Sequence, residues 1–169
     1  MFFFATKKLK METFEKIKVL LNGNNVIYQH KKHAPTLTSE EAARVRGDAL
    51  SSGAKAIVYK IEKQFYLFVF AADRKMNPKK IKTYFKEKGM KAKKSRFASS
   101  EELFDMTGLV PGSVPPFGQP ILNFDLFVDP SLKENERISF NAGSLTNSIS
   151  MNLEDYINVA KPEVFEFVD

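Results

Sequence analysis

The sequence has no cysteine and no tryptophan, and only two histidines, His30 and His33. The absence of cysteine excludes disulfides, thiolate nucleophiles and thiolate-ligated zinc, and it fits a cytoplasmic chain. A zinc site built on His30 and His33 would need carboxylates from elsewhere, so no metal is expected. Neither histidine lies beside a serine-centred nucleophile motif, and ordinary surface or strand roles suit both. There is no GxxxxGK[ST] loop and no GxGxxG, so no nucleotide-phosphate cradle is signalled and no cofactor is expected. No apolar run approaches the ~20 residues that cross a bilayer, so no membrane association is expected. The opening MFFFATKKLK has too few apolar residues ahead of its lysines for a signal peptide. Residues 1–10 are expected to be a loosely ordered extension.

What is present is a folded composition, 43% hydrophobic and 27% charged, with sixteen Phe. A length of 169 residues suits one domain spanning 1–169, expected to be a monomer. The net charge of +6 is unevenly spread. Residues 73–96 hold 11 basic and 2 acidic side chains, whereas residues 97–169 hold 3 basic and 12 acidic. Such a segment either draws a polyanion or is a solvated lysine-rich face.

Spacing of apolar residues predicts a helix over Met11–Leu21, and Asn25–His30 reads as a short strand. Thr38-Ser39-Glu40-Glu41 reads as a capping box opening a helix that stops at Gly47. Ala54–Ile61 and Gln64–Ala71 are β-rich runs joined by Glu62-Lys63, which predicts an antiparallel hairpin. The second run is apolar on both faces and is expected to be a central strand. Asn77-Pro78 supplies a cap and a first-turn proline for a helix buried along Ile81, Tyr84 and Phe85. Ser99-Ser100-Glu101-Glu102 caps another helix. Ile121–Val128, Arg137–Asn141, Ser148–Met151 and Val164–Val168 are strand candidates, and Asn152–Ala160 is a helix. The fold class is α+β, with a mixed, mostly antiparallel sheet.

Two features could carry chemistry. Lys55 opens a strand where alternation puts it on a face with Ile57 and Tyr59. It either snorkels out at a sheet edge or points into a polar pocket. The segment TGLVPGSVPPFG, residues 107–118, concentrates three prolines and three glycines. Prolines fix φ and remove donors, and glycines allow positive φ and close approach. A preshaped rim with free N–H groups fits that composition, and so does a plain connecting turn. Carboxylate pairs such as Glu40-Glu41 sit at helix starts, where the helix dipole is reason enough for them.

TSEEAARVRG, GAKAIV, ADRKMNPKKI, FASSEELFDMTGLVPGSVPPFG and FNAGS occur in this order. This ordered set resembles the YbaK / prolyl-tRNA synthetase-associated editing-domain family, over roughly residues 28–160. The resemblance implies a sheet curled into a partial barrel with helices packed around it. It also implies hydrolysis of the ester joining a wrong amino acid to tRNA, in trans, since no synthetase motifs accompany it. A small amino acid is the expected substrate, alanine first, then serine or threonine. The alternative is a catalytically silent module that binds tRNA or a synthetase.

By the same resemblance, Lys55, Gly112 and Ser113 are the expected catalytic positions. The loop N–H groups at 112–114 would meet the ester carbonyl, and Lys55 would hold the carbonyl or a phosphate by charge. Thr38, Gly108, Pro111, Val114, Pro116, Phe117, Gly118, Asn141, Gly143 and Ser144 are expected to bind substrate. Lys79, Lys80, Lys82 and Lys86 are expected to hold the tRNA body. Some family members carry a histidine after the FNAGS turn. SLTNSISM has none, which leaves that role absent or to Ser144 or Asn147.

Overall fold

The structure is a computed structural model that describes residues 11–169, so the expected N-terminal extension lies outside the described residues. Elements follow in the order α1 (Thr13–Gly23), β1 (Tyr28–Lys32), α2 (Ser39–Arg46), β2 (Ala54–Ile61), β3 (Gln64–Ala71), α3 (Pro78–Glu87), β4 (Ser95–Phe97), α4 (Ser100–Thr107), β5 (Leu126–Val128), β6 (Arg137–Asn141), β7 (Asn147–Asn152), α5 (Leu153–Ala160) and β8 (Glu163–Val164). The strands form two sheets. One is antiparallel, in the order β1-β7-β6, and the other is β4-β2-β3-β5-β8. In the larger sheet β5 runs parallel to β3 and β8 parallel to β5, because both return from long connections. A single bridge, Gly53 to Ser139, joins the two sheets.

The β2–β3 hairpin sits at the centre, in register from Ala54 opposite Ala71 to Ile61 opposite Gln64. Its two-residue turn puts Glu62 at φ 55°, and the Glu62 carboxylate accepts from the Lys93 and Lys94 N–H groups at 2.6 and 3.1 Å. Strand β3 is buried on both faces, as its unbroken apolar run predicts. Leu67, Val69 and Ala71 face one core, shared with Ile17 and Leu21 of α1, the smaller sheet and Tyr156. Tyr66, Phe68 and Phe70 face a second, aromatic core closed by Ile81 and Phe85 of α3. There Phe68 stacks on Phe127 with centroids 5.3 Å apart and meets Phe167 edge-on at 5.1 Å.

The expected cap residues open their helices, although at Thr38 the reciprocal half of the capping box is missing, because Glu41 Oε2 accepts from the Leu37 N–H instead. The Thr38 hydroxyl accepts from the Glu41 N–H, the Asn77 side chain accepts from Lys79, and Ser99 with Glu102 forms a full capping box. Two expected strands are shorter than predicted. Ile121–Asp125 is a turn, with the Ile121 and Leu122 N–H groups both on the Gly118 carbonyl, so only Leu126–Val128 pairs. The last segment is a ladder strand only at Glu163–Val164, with a single antiparallel bridge from Val168 to Met76 further on. There the buried Asp129 carboxylate takes the N–H groups a strand partner would otherwise take, accepting from Phe167 at 2.6 Å and Val168 at 3.1 Å. Its other oxygen accepts from the Ser131 N–H at 2.7 Å.

Asp129 therefore satisfies three backbone donors that have no water to fall back on. Replacing it by Ala is expected to cost ~3 kcal/mol or more, because buried donors left unpaired pay their full desolvation penalty. Urea unfolding of Asp129→Ala against the parent measures this.

Candidate active site

A cleft of about 700 Å³ opens along the edge of β2. Strand β4 pairs only with Tyr59–Ile61 of β2, which leaves the Ala54–Ile57 edge without a strand neighbour on that side. Small Ala54 and Ala56, with Val58 and Val114, make an apolar wall. Thr36, Thr38, Arg46, Gly112 and Asn141 make the facing polar wall, and Lys55 stands at the rim with Arg74 and Lys75. Lys55 is exposed and makes no hydrogen bond or ion pair among the described residues. It sits at the open end of its strand face, whose other members, Ile57 and Tyr59, run into the aromatic core.

The 108–118 loop is fixed from both ends. Gly108 caps α4, its N–H on the Phe104 carbonyl at 2.7 Å. Pro116 accepts a 2.6 Å hydrogen bond from the buried Tyr156 hydroxyl, whose pKa burial pushes well above the usual phenol value. Between these points Gly112 adopts φ +86°, a left-handed conformation that a side chain would strain.

Ser113 is buried at 2% exposure, and its hydroxyl donates to the Val110 carbonyl and accepts from the Val110 N–H. Its own N–H also goes to Val110. Ser113 thus staples the loop and offers neither hydroxyl nor N–H to the cleft. The expected donors at 112–114 reduce to the Gly112 and Val114 N–H groups, which have no partner among the described residues.

The Gly112 carbonyl is held in turn. Asn141 Nδ2 donates to it at 2.8 Å, Arg46 Nη2 donates to Asn141 Oδ1 at 2.9 Å, and Arg46 Nε donates to Ser148 Oγ at 2.9 Å. His33 Nε2 lies 2.7 Å from that same hydroxyl, and His33 Nδ1 faces the Ala34 carbonyl, which only accepts, so Nδ1 carries a proton. Both histidines are structural partners, His30 bonding Asn147 Oδ1 at 2.8 Å. Burial lowers the Arg46 pKa below the ordinary arginine value, and the charge of Asp48 opposes that shift.

The expected substrate residues do not all meet in one place. Thr38, Lys55, Pro111, Gly112, Val114 and Asn141 line the β2 cleft. Gly108, Gly143 and Ser144 line a different cleft, of about 780 Å³, beside α1. There Gly143 packs so closely on Thr13 that an added Cβ would fall 2.8 Å from its side chain. Ser144 bonds Thr146 and Asn147 within its own turn. Pro116, Phe117 and Gly118 belong to the core and not to a cleft wall. Phe117 packs edge-on against Phe140 and Tyr156, and an added Cβ at Gly118 would meet the Phe124 carbonyl at 2.5 Å. Of the α3 lysines, Lys79, Lys82 and Lys86 are exposed, but Lys80 is tied at 2.8 Å to both Glu166 and the Val168 carbonyl.

Arg46 and Thr36 had not been anticipated. Arg46 was legible in principle, since it lies four and three residues after the buried Ala42 and Ala43 and so shares their helix face. Thr36 has no such signal, because PTLT reads only as a turn.

The family profile described as "Aminoacyl-tRNA editing domain" matches residues 33–159. The chain belongs to the aminoacyl-tRNA editing domain family. Its reaction class is hydrolysis of the aminoacyl-tRNA ester. The chain is 32% identical, over 92% of its own length and 92% of the relative's, to the "Multifunctional Ser/Thr-tRNA deacylase ProXp-y" of Escherichia coli K12. It is 31% identical over 102 residues to a Bacillus licheniformis proline–tRNA ligase, covering 17% of that enzyme. Two crystal structures share the fold at low identity. A hypothetical protein superposes with TM-score 0.78 at 21% identity, over 91% of this chain and 99% of its own. A candidate trans-editing enzyme for prolyl tRNA synthetase superposes with TM-score 0.75 at 18% identity, over 95% and 99%.

Helix α4 delivers the loop to this cleft, and its start is pinned electrostatically. Glu102 accepts from the Ser99 N–H at 3.0 Å and takes a two-pronged bond from Arg96, at 2.6 and 3.0 Å. The Arg96 bonds, then the Ser99 N–H, hold its carboxyl down at about 2. A depressed carboxyl contributes stability that is full above pH 4.5 and lost as pH falls towards 2. Glu102→Gln is expected to flatten that part of the acid-unfolding curve, followed by circular dichroism, and to leave the neutral-to-alkaline part unchanged in shape.

Proposed function

We propose that this chain is a trans-editing deacylase that clears tRNA charged with a small amino acid, serine or threonine ahead of alanine. The observation that carries this is the convergence on one cleft of a free cation, Lys55, and two unpaired loop N–H groups, at Gly112 and Val114. The ester carbonyl would sit against those N–H groups, which are in place before the substrate arrives and so need no reorganisation as the oxyanion develops. Lys55 at the rim would hold the terminal phosphate or the carbonyl by charge. An aminoacyl ester is already activated, so an oriented water suffices, and no side chain is assigned as general base.

Small Ala54 and Ala56 limit what fits, and exclusion by size discriminates more strongly than the ~1–3 kcal/mol of a missing methylene. The preference for serine and threonine over the alanine first expected rests on two things. One is the hydroxyl-bearing wall of Thr36 and Thr38. The other is the relative described as a Ser/Thr-tRNA deacylase.

A panel of tRNAs charged with Ser, Thr, Ala, Cys and Pro tests this, with loss of label as the readout. Hydrolysis of the Ser and Thr esters is expected. Lys55→Ala is expected to lower kcat/KM by ~100-fold or more while circular dichroism stays unchanged, the scale of losing one preorganised charge stabiliser. Binding of tRNA with no turnover of any ester would favour the silent binding module instead.

The tRNA body would lie on the lysines of α3 and the segment after it. Lys79, Lys82 and Lys86 are exposed, as are Lys91, Lys93 and Lys94. Replacing Lys79, Lys82 and Lys86 by Ala is expected to weaken binding and to reduce the slope of log K against log salt by ~1 for each phosphate no longer neutralised. Lys80 is left in place in that variant because it anchors the C-terminal segment. An unchanged slope would mean the helix is only a solvated face.

A further inference from the structure

We propose that Thr36 reads the substrate's side-chain hydroxyl, an assignment that rests on the cleft being the amino-acid pocket. Thr36 is 4% exposed, and its Oγ1 is the buried side-chain oxygen without a hydrogen-bond partner among the described residues. Buried hydroxyls are almost always partnered, so an orphan marks a place where something else supplies the bond. Thr36 lines the β2 cleft, on the polar wall with Thr38 and Asn141 and with Ala54 and Ala56 also lining the site.

The orphan is not a consequence of a loose turn. The next residue, Leu37, gives its N–H to Glu41 Oε2 at 3.0 Å, and the Thr38 hydroxyl accepts from the Glu41 N–H at 3.1 Å. Glu41 thus clamps the chain on either side of the Leu37–Thr38 peptide, holding Thr36 in position. The neighbouring polar groups are already committed: Thr38 to the α2 cap, Asn141 and Arg46 to each other. Among the buried side-chain polar atoms of the described residues, Thr36 Oγ1 is the one with bonding capacity in reserve. A serine or threonine side chain brings a hydroxyl that can donate or accept, and an alanine side chain brings nothing. The site would then prefer hydroxy amino acids by completing a bond, which discriminates more sharply than a filled volume does.

The experiment compares Thr36→Val, which keeps the shape and removes the hydroxyl, with Thr36→Ser, which keeps the hydroxyl. The readouts are the ratio of kcat/KM for Ser-tRNA to that for Ala-tRNA, and the Tm of the free protein. Thr36→Val is expected to lower the ratio on the order of 10- to 100-fold. It is also expected to raise Tm by about 2–4 °C, because an unpartnered buried hydroxyl is removed. Thr36→Ser is expected to hold the ratio within a few fold. Equal loss on both esters would overturn the assignment, since the partner would then be a group common to all aminoacyl esters, such as the α-ammonium. An unchanged ratio, or a lower Tm for Thr36→Val, would overturn it as well, the latter by showing that the hydroxyl is already bonded in the free protein. Failure of the broader reading is separate and visible in the parent: no ester hydrolysed at all refutes the deacylase, whereas hydrolysis of Ala-tRNA without Ser- or Thr-tRNA refutes hydroxyl selection alone.

Discussion

One half-buried guanidinium joins the parts that make the site. Arg46 ends α2, bonds Asn141 at the end of β6 and Ser148 on β7, and through Asn141 holds the Gly112 carbonyl of the loop. Its own carbonyl receives Lys31 Nζ from β1 at 3.0 Å. A charge partly withdrawn from water is tolerated best when its donors are used, and here each bond also fixes a different element. Without the Arg46 side chain, α2 would lose its bonds to Asn141 and Ser148, and the Asn141 amide that holds the loop would lose a donor that orients it. That chain of bonds aims the Gly112–Ser113 peptide, and with it the turn of the loop.

The division of the interior explains why the cleft can stay open. Strand β3 is covered on one side by the mixed core and on the other by the aromatic core, so the larger sheet does not depend on what occupies the β2 edge. Strand β4 is short and stops at Phe97, and the chain then turns away into α4. An edge left without a strand partner is normally a hazard for pairing with other chains. Here it is flanked by Pro111, Gly112 and Val114 of the loop and by the charged Glu40, Lys55, Asp73, Arg74 and Lys75, and charged side chains along an edge discourage a second strand.

Much of this was legible in local sequence. The hairpin followed from two β-rich runs with two polar residues between them, and the caps followed from hydroxyl and carboxylate spacing. These signals are local, so the residues that produce them are close in the chain. The family followed from motifs in order, and with it the cleft positions Lys55, Gly112 and Asn141. What failed was assignment within the loop. Pro116, Phe117 and Gly118 are continuous with Gly112 in sequence, yet they turn into the core because Tyr156 and Phe140, forty and twenty-three residues away, receive them. Gly143 and Ser144 went to the other cleft because α1 lies against their turn, a proximity no spacing records. The last strand dissolved because Asp129 competes for its N–H groups, and a buried carboxylate bonds them more strongly than a neutral carbonyl does.

The loop composition can now be assigned to particular tasks. A free N–H in a cleft wall is unstable in isolation, since the backbone will turn to bond it if it can. Three constraints stop that here. Ser113 consumes the local alternatives at Val110, both carbonyl and N–H. Pro115 and Pro116 supply no donor that could compete for the same acceptors, and Pro116 is bolted to Tyr156. Gly112 takes the positive φ that turns the peptide, and Asn141 occupies its carbonyl. The N–H groups of Gly112 and Val114 are left without a partner among the described residues. Preorganisation of this kind costs folding stability, and the chain recovers it in the two cores. That division places the rigid, over-determined packing away from the cleft and leaves unmet hydrogen-bonding capacity, at Gly112, Val114 and Thr36, inside it.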